Sequence, residues 1–231
     1  MLKAVTFSFD DGVTQDVRLI ELFNKYNVKG TFNLNSSLFG LPGVCDWFEN
    51  KASHNKVKAE EVKDIYKGHE VAVHTLTHPN LTTLEESVVI RQVEKDREVL
   101  SELAGYEVTG MAYPCGGVNN DDRVAEIIKN RTGVQYSRTI TSTFNFDLQN
   151  NMFRFNPSVY IMQPEKLAEL AESFVSLKTD KPQIFYIWGH SYEFDVFETW
   201  EKFEELLKLI SGKDDILYGT NKEVFEYFDM I

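Results

Sequence analysis

Residues 6–12 read "TFSFDDG", the end of a β-branched and aromatic run over residues 3–9 that closes on two adjacent carboxylates, Asp10 and Asp11, and then a glycine. The run predicts a buried strand. Asp-Asp-Gly alone is also what an ordinary turn looks like, because Asp and Gly both tolerate the backbone angles a turn demands. The residues that follow separate the two readings. Over residues 14–26, Val17, Ile20, Phe23 and Tyr26 recur at three-residue spacing, flanked by Leu19 and Leu22, which is the pattern of an amphipathic helix. The carboxylates therefore stand at the C-terminal end of a strand that leads into a helix, where α/β folds build their sites. Neighbouring anions raise one another's pKa, so the pair calls for a cation or a shared proton. Gly12 is expected to serve the turn or a close approach of backbone.

The same alternation continues outward. Strand-like runs recur as "GTFNLN" (30–35), "EVAVH" (70–74), "GMAYP" (110–114), "VQYSR" (134–138), "FRFNPSVY" (153–160), "QIFYIW" (183–188) and "DILYG" (215–219). Between them, helical periodicity covers residues 59–66, 84–103, 121–130, 165–177, 197–210 and 222–228. Seven or eight such units in 231 residues predict one domain, 1–231, of α/β class, with a closed or nearly closed β/α barrel favoured over an open doubly wound sheet. Residues 39–58 and 139–152 break the alternation and are expected to form functional rims.

A composition of 42% hydrophobic and 13% aromatic residues suffices for one large core, and a net charge of -12 disfavours nucleic acid as a partner. Cys45 and Cys115 make no CxxC pair, which argues against a zinc knuckle or a redox dithiol. No apolar run is long enough for a membrane span, and the start lacks a signal-peptide pattern, so a cytoplasmic protein without a membrane partner is expected.

Partners for the carboxylates are sought at the other strand ends. The third strand closes in "HTLTH", whose His74 and His78, four apart, can face one point from a single turn of helix. In a parallel β/α arrangement all strand C-termini meet on one face, so these imidazoles and the carboxylates converge. The late aromatic run "QIFYIWGH" ends at His190, which is expected to act as a proton donor in that company.

"TFSFDDG", "HTLTH", "AYPCGG" (112–117) and "IWGH" (187–190) stand in the order and spacing of the polysaccharide deacetylase family, which the chain resembles from Thr6 to His190. The resemblance implies a distorted (β/α)7 barrel, TIM-barrel-like, and metal-dependent removal of N- or O-acetyl groups from a carbohydrate. It further implies Asp10 as general base, Asp11, His74 and His78 as ligands of one divalent ion, and His190 as general acid. Aspartate with two histidines suits zinc first, and also cobalt, nickel or iron. The family's third motif carries an arginine where this chain has Ala112 and an aromatic where it has Cys115. Arg138 is the candidate substitute cation, and the backbone N–H of Cys115 the candidate oxyanion donor, with Tyr113 beside it. Trp188, Tyr192, Trp47 and Phe48 are candidates for a sugar-stacking wall, and Glu193 or Asp195 for support of His190. His54 and His69 are set aside. The substrate is expected to be an acetylated carbohydrate or a small acylated amine, with a non-sugar amidohydrolase and a non-catalytic sugar-binding relative as the other readings.

Overall fold

The computed structural model describes residues 1–47 and 50–231. Its first half runs β1 (Lys3–Asp10), α1 (Asp16–Lys25), β2 (Gly30–Leu34), a hairpin of β3 (Val44–Trp47) and β4 (Asn50–Ser53), α2 (Val62–Ile65), β5 (Glu70–Val73) and α3 (Glu86–Ala104). The second half runs β6 (Gly110–Ala112), α4 (Asp122–Arg131), β7 (Tyr136–Arg138), β8 (Val159–Tyr160), α5 (Pro164–Ser176), β9 (Gln183–Gly189), α6 (Glu193–Val196), α7 (Trp200–Ile210), β10 (Ile216–Tyr218) and α8 (Asn221–Tyr227). The main sheet is parallel, in the order β7-β6-β5-β2-β1-β9-β8, and curls into a distorted barrel. On the edge of β1 away from β9, β2 takes the half from Phe7 to Asp10 and β10 the half from Lys3 to Val5.

β1 looks uniformly buried because helices cover one of its faces and the barrel fills the other. Its two faces are nonetheless different. Phe7 and Phe9 point to the helices, packing with Phe23 of α1, Phe32 of β2 and Phe203 of α7. Thr6, Ser8 and Asp10 point inward, where the barrel is polar and hydrogen-bonded: Thr6 donates to Asn221, and Glu70 accepts from Thr31 and Tyr136. Buried polar groups cost stability unless paired, and these are paired. In α1 the buried stripe is Leu19, Ile20 and Phe23, while Val17, counted with that stripe in the sequence, faces solvent.

The segment read from the sequence as one strand over 153–160 is instead three pieces. A 3₁₀ turn at Met152–Arg154 leads to Phe155, which bridges β7, and only Val159–Tyr160 pairs with β9. Pro157 cannot donate to a ladder, which breaks the run, and the segment bridges β7 through Phe155 and β9 through Val159–Tyr160. Among the described residues, no helix is long and apolar enough to cross a membrane.

Candidate active site

Asp10 closes β1, Arg138 closes β7, His74 follows β5 directly and His190 follows β9, so four strand ends deliver their side chains to one rim. Asp10, His74 and His190 line a cleft of about 440 Å³ with Asp11, His78, Tyr113, Cys115, Ile140, Tyr160, Trp188, Tyr192 and Trp47, while Arg138 lies fully buried behind Asp10. A second cavity, about 410 Å³ between α5 and α7, is apolar and holds none of these residues.

The turn after β1 is tight. Asp11 and Gly12 both have positive φ, 84° and 60°, and a Cβ on Gly12 would lie 2.8 Å from Leu34 Cδ2, so glycine is required there for conformation and for space. The turn sends the two carboxylates to different partners. Arg138, fully buried, donates from Nη2 to both oxygens of Asp10, and Asn33 Nδ2 donates to Asp10 Oδ1 at 2.8 Å. The guanidinium is itself fixed by Nε to Ser8 Oγ at 3.1 Å, by Nη1 to the Thr139 carbonyl at 3.0 Å, and by the Trp188 ring 4.6 Å away. Burial works against the Asp10 charge, but Arg138, His74 and His190 outweigh it and hold the carboxyl below its ordinary value. Asp10 is therefore an anion at neutral pH.

Asp11 faces the imidazoles. Its Oδ1 lies 3.6 Å from His78 Nε2, and one donor atom from each of Asp11, His74 and His78 lies within 4.8 Å of the others. Ligands about 2 Å from one ion stand at most about 4 Å apart, so these three donors, of the types a divalent cation takes, would close on one with a small inward shift of the side chains. His74 Nδ1 donates to the Ala112 carbonyl at 2.9 Å, which leaves Nε2 as the free donor atom. Burial pushes His74 down to about 4 and lowers His78, keeping both rings neutral, as ligands must be. The expected turn of helix is absent: residues 74–78 form a loop in which Thr75 and His78 have positive φ, 70° and 59°. Asn35 and the buried Asp96 of α3 hold this loop by hydrogen bonds to the His74 and Thr75 carbonyls and to the His74 N–H.

His190 lies across the cleft. Its Nδ1 is 3.1 Å from the fully buried Glu193, an ion-pair contact without hydrogen-bond alignment, and Glu193 also accepts from the His190 N–H and from Tyr160. Burial opposes charge on the ring, but Glu193 overrides it and raises His190 to about 9. Asp195 goes elsewhere, accepting from Gln15 and from Trp200 Nε1.

Three sequence candidates take places that narrow what they can do. Tyr113 spends its hydroxyl on the Phe153 carbonyl, so only its ring borders the cleft. Trp188 is stacked between Tyr160 and Arg138, and braces the ion pair more than it presents a face. The Cys115 thiol contacts the His78 carbonyl at 3.4 Å, and burial and Asp11 push it above its ordinary value, which disfavours a thiolate nucleophile. Trp47 packs edge-on near Tyr192 at the rim, and Phe48 lies outside the described residues.

His69 is structural, accepting from the Gly30 N–H. His54, set aside with it, is not: its Nε2 lies 3.2 Å from Asp11 Oδ2. Lys56, two residues on, donates to the Asp11 carbonyl at 2.7 Å. Neither carries a sequence signal, because both follow β4, which lies outside the β/α alternation and whose placement no periodicity predicts.

A barrel with an acid–imidazole cluster at its strand ends has the layout of a hydrolase site built to hold a metal ion. The polysaccharide deacetylase family model matches residues 2–136, and the chain belongs to that family. It is similar to the peptidoglycan-N-acetylglucosamine deacetylase PgdA of Listeria monocytogenes, 33% identical over 129 residues that make up 54% of this chain and 24% of the relative. The peptidoglycan-N-acetylmuramic acid deacetylase PdaC of Bacillus subtilis is 24% identical over 52% of this chain and 23% of the relative. The chain thus spans about a quarter of the length of these curated relatives. Among solved structures, a mutant of a CE4 family pseudoenzyme with restored activity superposes with a TM-score of 0.60 at 21% identity, covering 96% of this chain and 67% of the other. A family 4 acetyl xylan esterase from Clostridium thermocellum, in complex with a cobalt ion, gives 0.58 at 14% identity over 99% and 93%. At such identities these two comparisons speak for the fold.

Proposed function

We propose that this chain is a metal-dependent carbohydrate deacetylase, hydrolysing an N-acetyl or O-acetyl group on a sugar. The observation that carries the reading is the unequal partnering of the adjacent carboxylates, Asp10 with a guanidinium and Asp11 with two imidazoles. Asp11, His74 and His78 would hold the divalent ion. When bound, a divalent cation supplies Lewis-acid chemistry, polarising a carbonyl and easing ionisation of water. Asp10, an anion at neutral pH and fixed by Arg138 and Asn33, accepts the proton that water loses in attacking the acetyl carbon. His190, protonated up to about pH 9, returns a proton to the departing amine or hydroxyl. Each such group is worth about 100- to 10,000-fold in rate. The Cys115 N–H is proposed to face the developing oxyanion.

Aromatic side chains make up much of the rest of the wall: Trp47, Tyr160 and Tyr192, with Trp188 stacked behind Tyr160. Rings of this kind suit the apolar face of a sugar, whereas a charged wall would suit a non-sugar amide. Relatives named for peptidoglycan N-acetylglucosamine and N-acetylmuramic acid support an N-acetyl hexosamine as substrate. Ala112 in the arginine position favours a non-catalytic sugar-binding relative, but the Asp10–Arg138 pair supplies the cation that Ala112 lacks and so favours catalysis. The test is acetate release from N-acetylglucosamine oligomers, O-acetylated xylan and simple acetamides, with zinc or cobalt supplied. Release from the sugars above the acetamides is expected. Turnover of acetamides alone would move the assignment to a non-sugar amidohydrolase.

A further inference from the structure

The segment from Ser53 to Val57, which leaves the β3–β4 hairpin, lies along the turn that carries Asp11. Gln15 Nε2 donates to the Ser53 carbonyl at 2.7 Å, Thr14 N–H to the Asn55 carbonyl at 2.9 Å, and Val57 N–H to the Gly12 carbonyl at 3.0 Å. Lys56, its side chain 8% exposed, donates from Nζ to the Asp11 carbonyl at 2.7 Å. These contacts hold the peptide of a non-glycine residue at φ 84°. At the head of the segment, the His54 ring packs edge-on against Tyr192, centroids 4.7 Å apart, and reaches Asp11 Oδ2 at 3.2 Å. The two oxygens of Asp11 are thus divided, Oδ1 towards His78 at 3.6 Å and the Lys56 ammonium at 3.4 Å, and Oδ2 towards His54 alone among these groups.

We propose that His54 is a positioning residue for the metal-ligating carboxylate: its Nε2–H holds Asp11 Oδ2, stops the carboxylate rotating, and presents Oδ1 to the cation. The proposal rests on the reading of Asp11, His74 and His78 as a metal site. His54 is not a fourth ligand, because the donor atoms that cluster within 4.8 Å of one another among the described residues come from Asp11, His74 and His78. A carboxylate ligand without an orienting partner can turn away from the ion or share both oxygens with it, and either weakens and reshapes the site. Loss of such partners elsewhere lowers metal affinity about 10- to 100-fold.

The test is titration of metal-free protein with Co²⁺, followed by visible absorption without substrate, for wild type, His54→Leu and His54→Gln. Leucine keeps the packing against Tyr192 and removes the donor. Glutamine restores an N–H at similar reach. The expected result is a Kd about 10- to 100-fold higher for His54→Leu, with an altered d–d spectrum, and a return to within about threefold of wild type for His54→Gln. A Leu variant that binds Co²⁺ with unchanged Kd and spectrum overturns the proposal. A folded Gln variant as weak as the Leu variant also overturns it, since the donor would then not be what matters. If wild type binds no Co²⁺, the metal-site reading itself fails, and the proposal with it.

Discussion

Asp10 meets a buried guanidinium and an amide, while Asp11 meets imidazoles and an ammonium, although one peptide bond separates them. At this scale charge partnering sets each group's task. Arg138→Met leaves Asp10 buried and uncompensated, so a loss of about 3–5 kcal/mol is expected in urea denaturation. The carboxyl pKa then rises, and kcat/KM at neutral pH is expected to fall on the order of 100-fold. His190 gives a separate test. Its ring is raised to about 9 because of Glu193, so it is charged below that value, and activity is lost as pH rises through it. The pair also adds stability that is fully present below 6.5, the ordinary value, and lost through about 9. Glu193→Gln removes the largest upward influence on the ring, leaving burial against the weaker pull of Asp11 and Asp10, so the alkaline limb of kcat/KM is expected to move down from about 9. A limb that stays near 9 would point to another group as the acid.

Among the elements, Ala112 of β6 and Arg138 of β7 are register partners in adjacent parallel strands. Their side chains share a face, so the guanidinium reaches Asp10 from one strand further along than the family's third motif has it. Moving it back is a direct test: Ala112→Arg with Arg138→Ala is expected to recover more than about tenfold of the kcat/KM lost in Arg138→Ala alone, within the range of one positioned group. Equal activity of the single and double variants would deny the equivalence of the two strands. This is also where sequence reading succeeds and where it stops. Asp10, His74, Arg138 and His190 are legible because each stands at or just after the end of a strand-like run, and strand ends of a parallel sheet share a face. The spacing of His74 and His78 suggested helix, yet Thr75 and His78 adopt left-handed angles held by Asn35 and Asp96, contacts of long sequence range. His54 escapes for the same reason, since it meets Asp11 across 43 residues through a hairpin with no periodic signal. The polar barrel interior is equally hidden, because Thr6 and Ser8 are small enough to pass as strand residues in an apolar run.

For the molecule as a whole, the site joins strands from both halves of the chain, Asp10 and Asp11 near one end and His190 near the other. Ion binding there should therefore be felt by the entire fold. A ligand at 100 times its Kd adds about 2.7 kcal/mol, so returning zinc to chelator-treated protein is expected to raise Tm by roughly 5–11 °C. The acidic net charge of -12 favours cation entry over that of polyanions. Whether the two adjacent carboxylates divide the work is decided by measuring bound metal and acetate release together in Asp10→Asn and Asp11→Asn. Asp10→Asn is expected to keep about one ion per chain and to lose turnover at least about 100-fold, while Asp11→Asn loses the ion itself. Loss of the ion in both variants, or turnover retained in Asp10→Asn, would contradict that division.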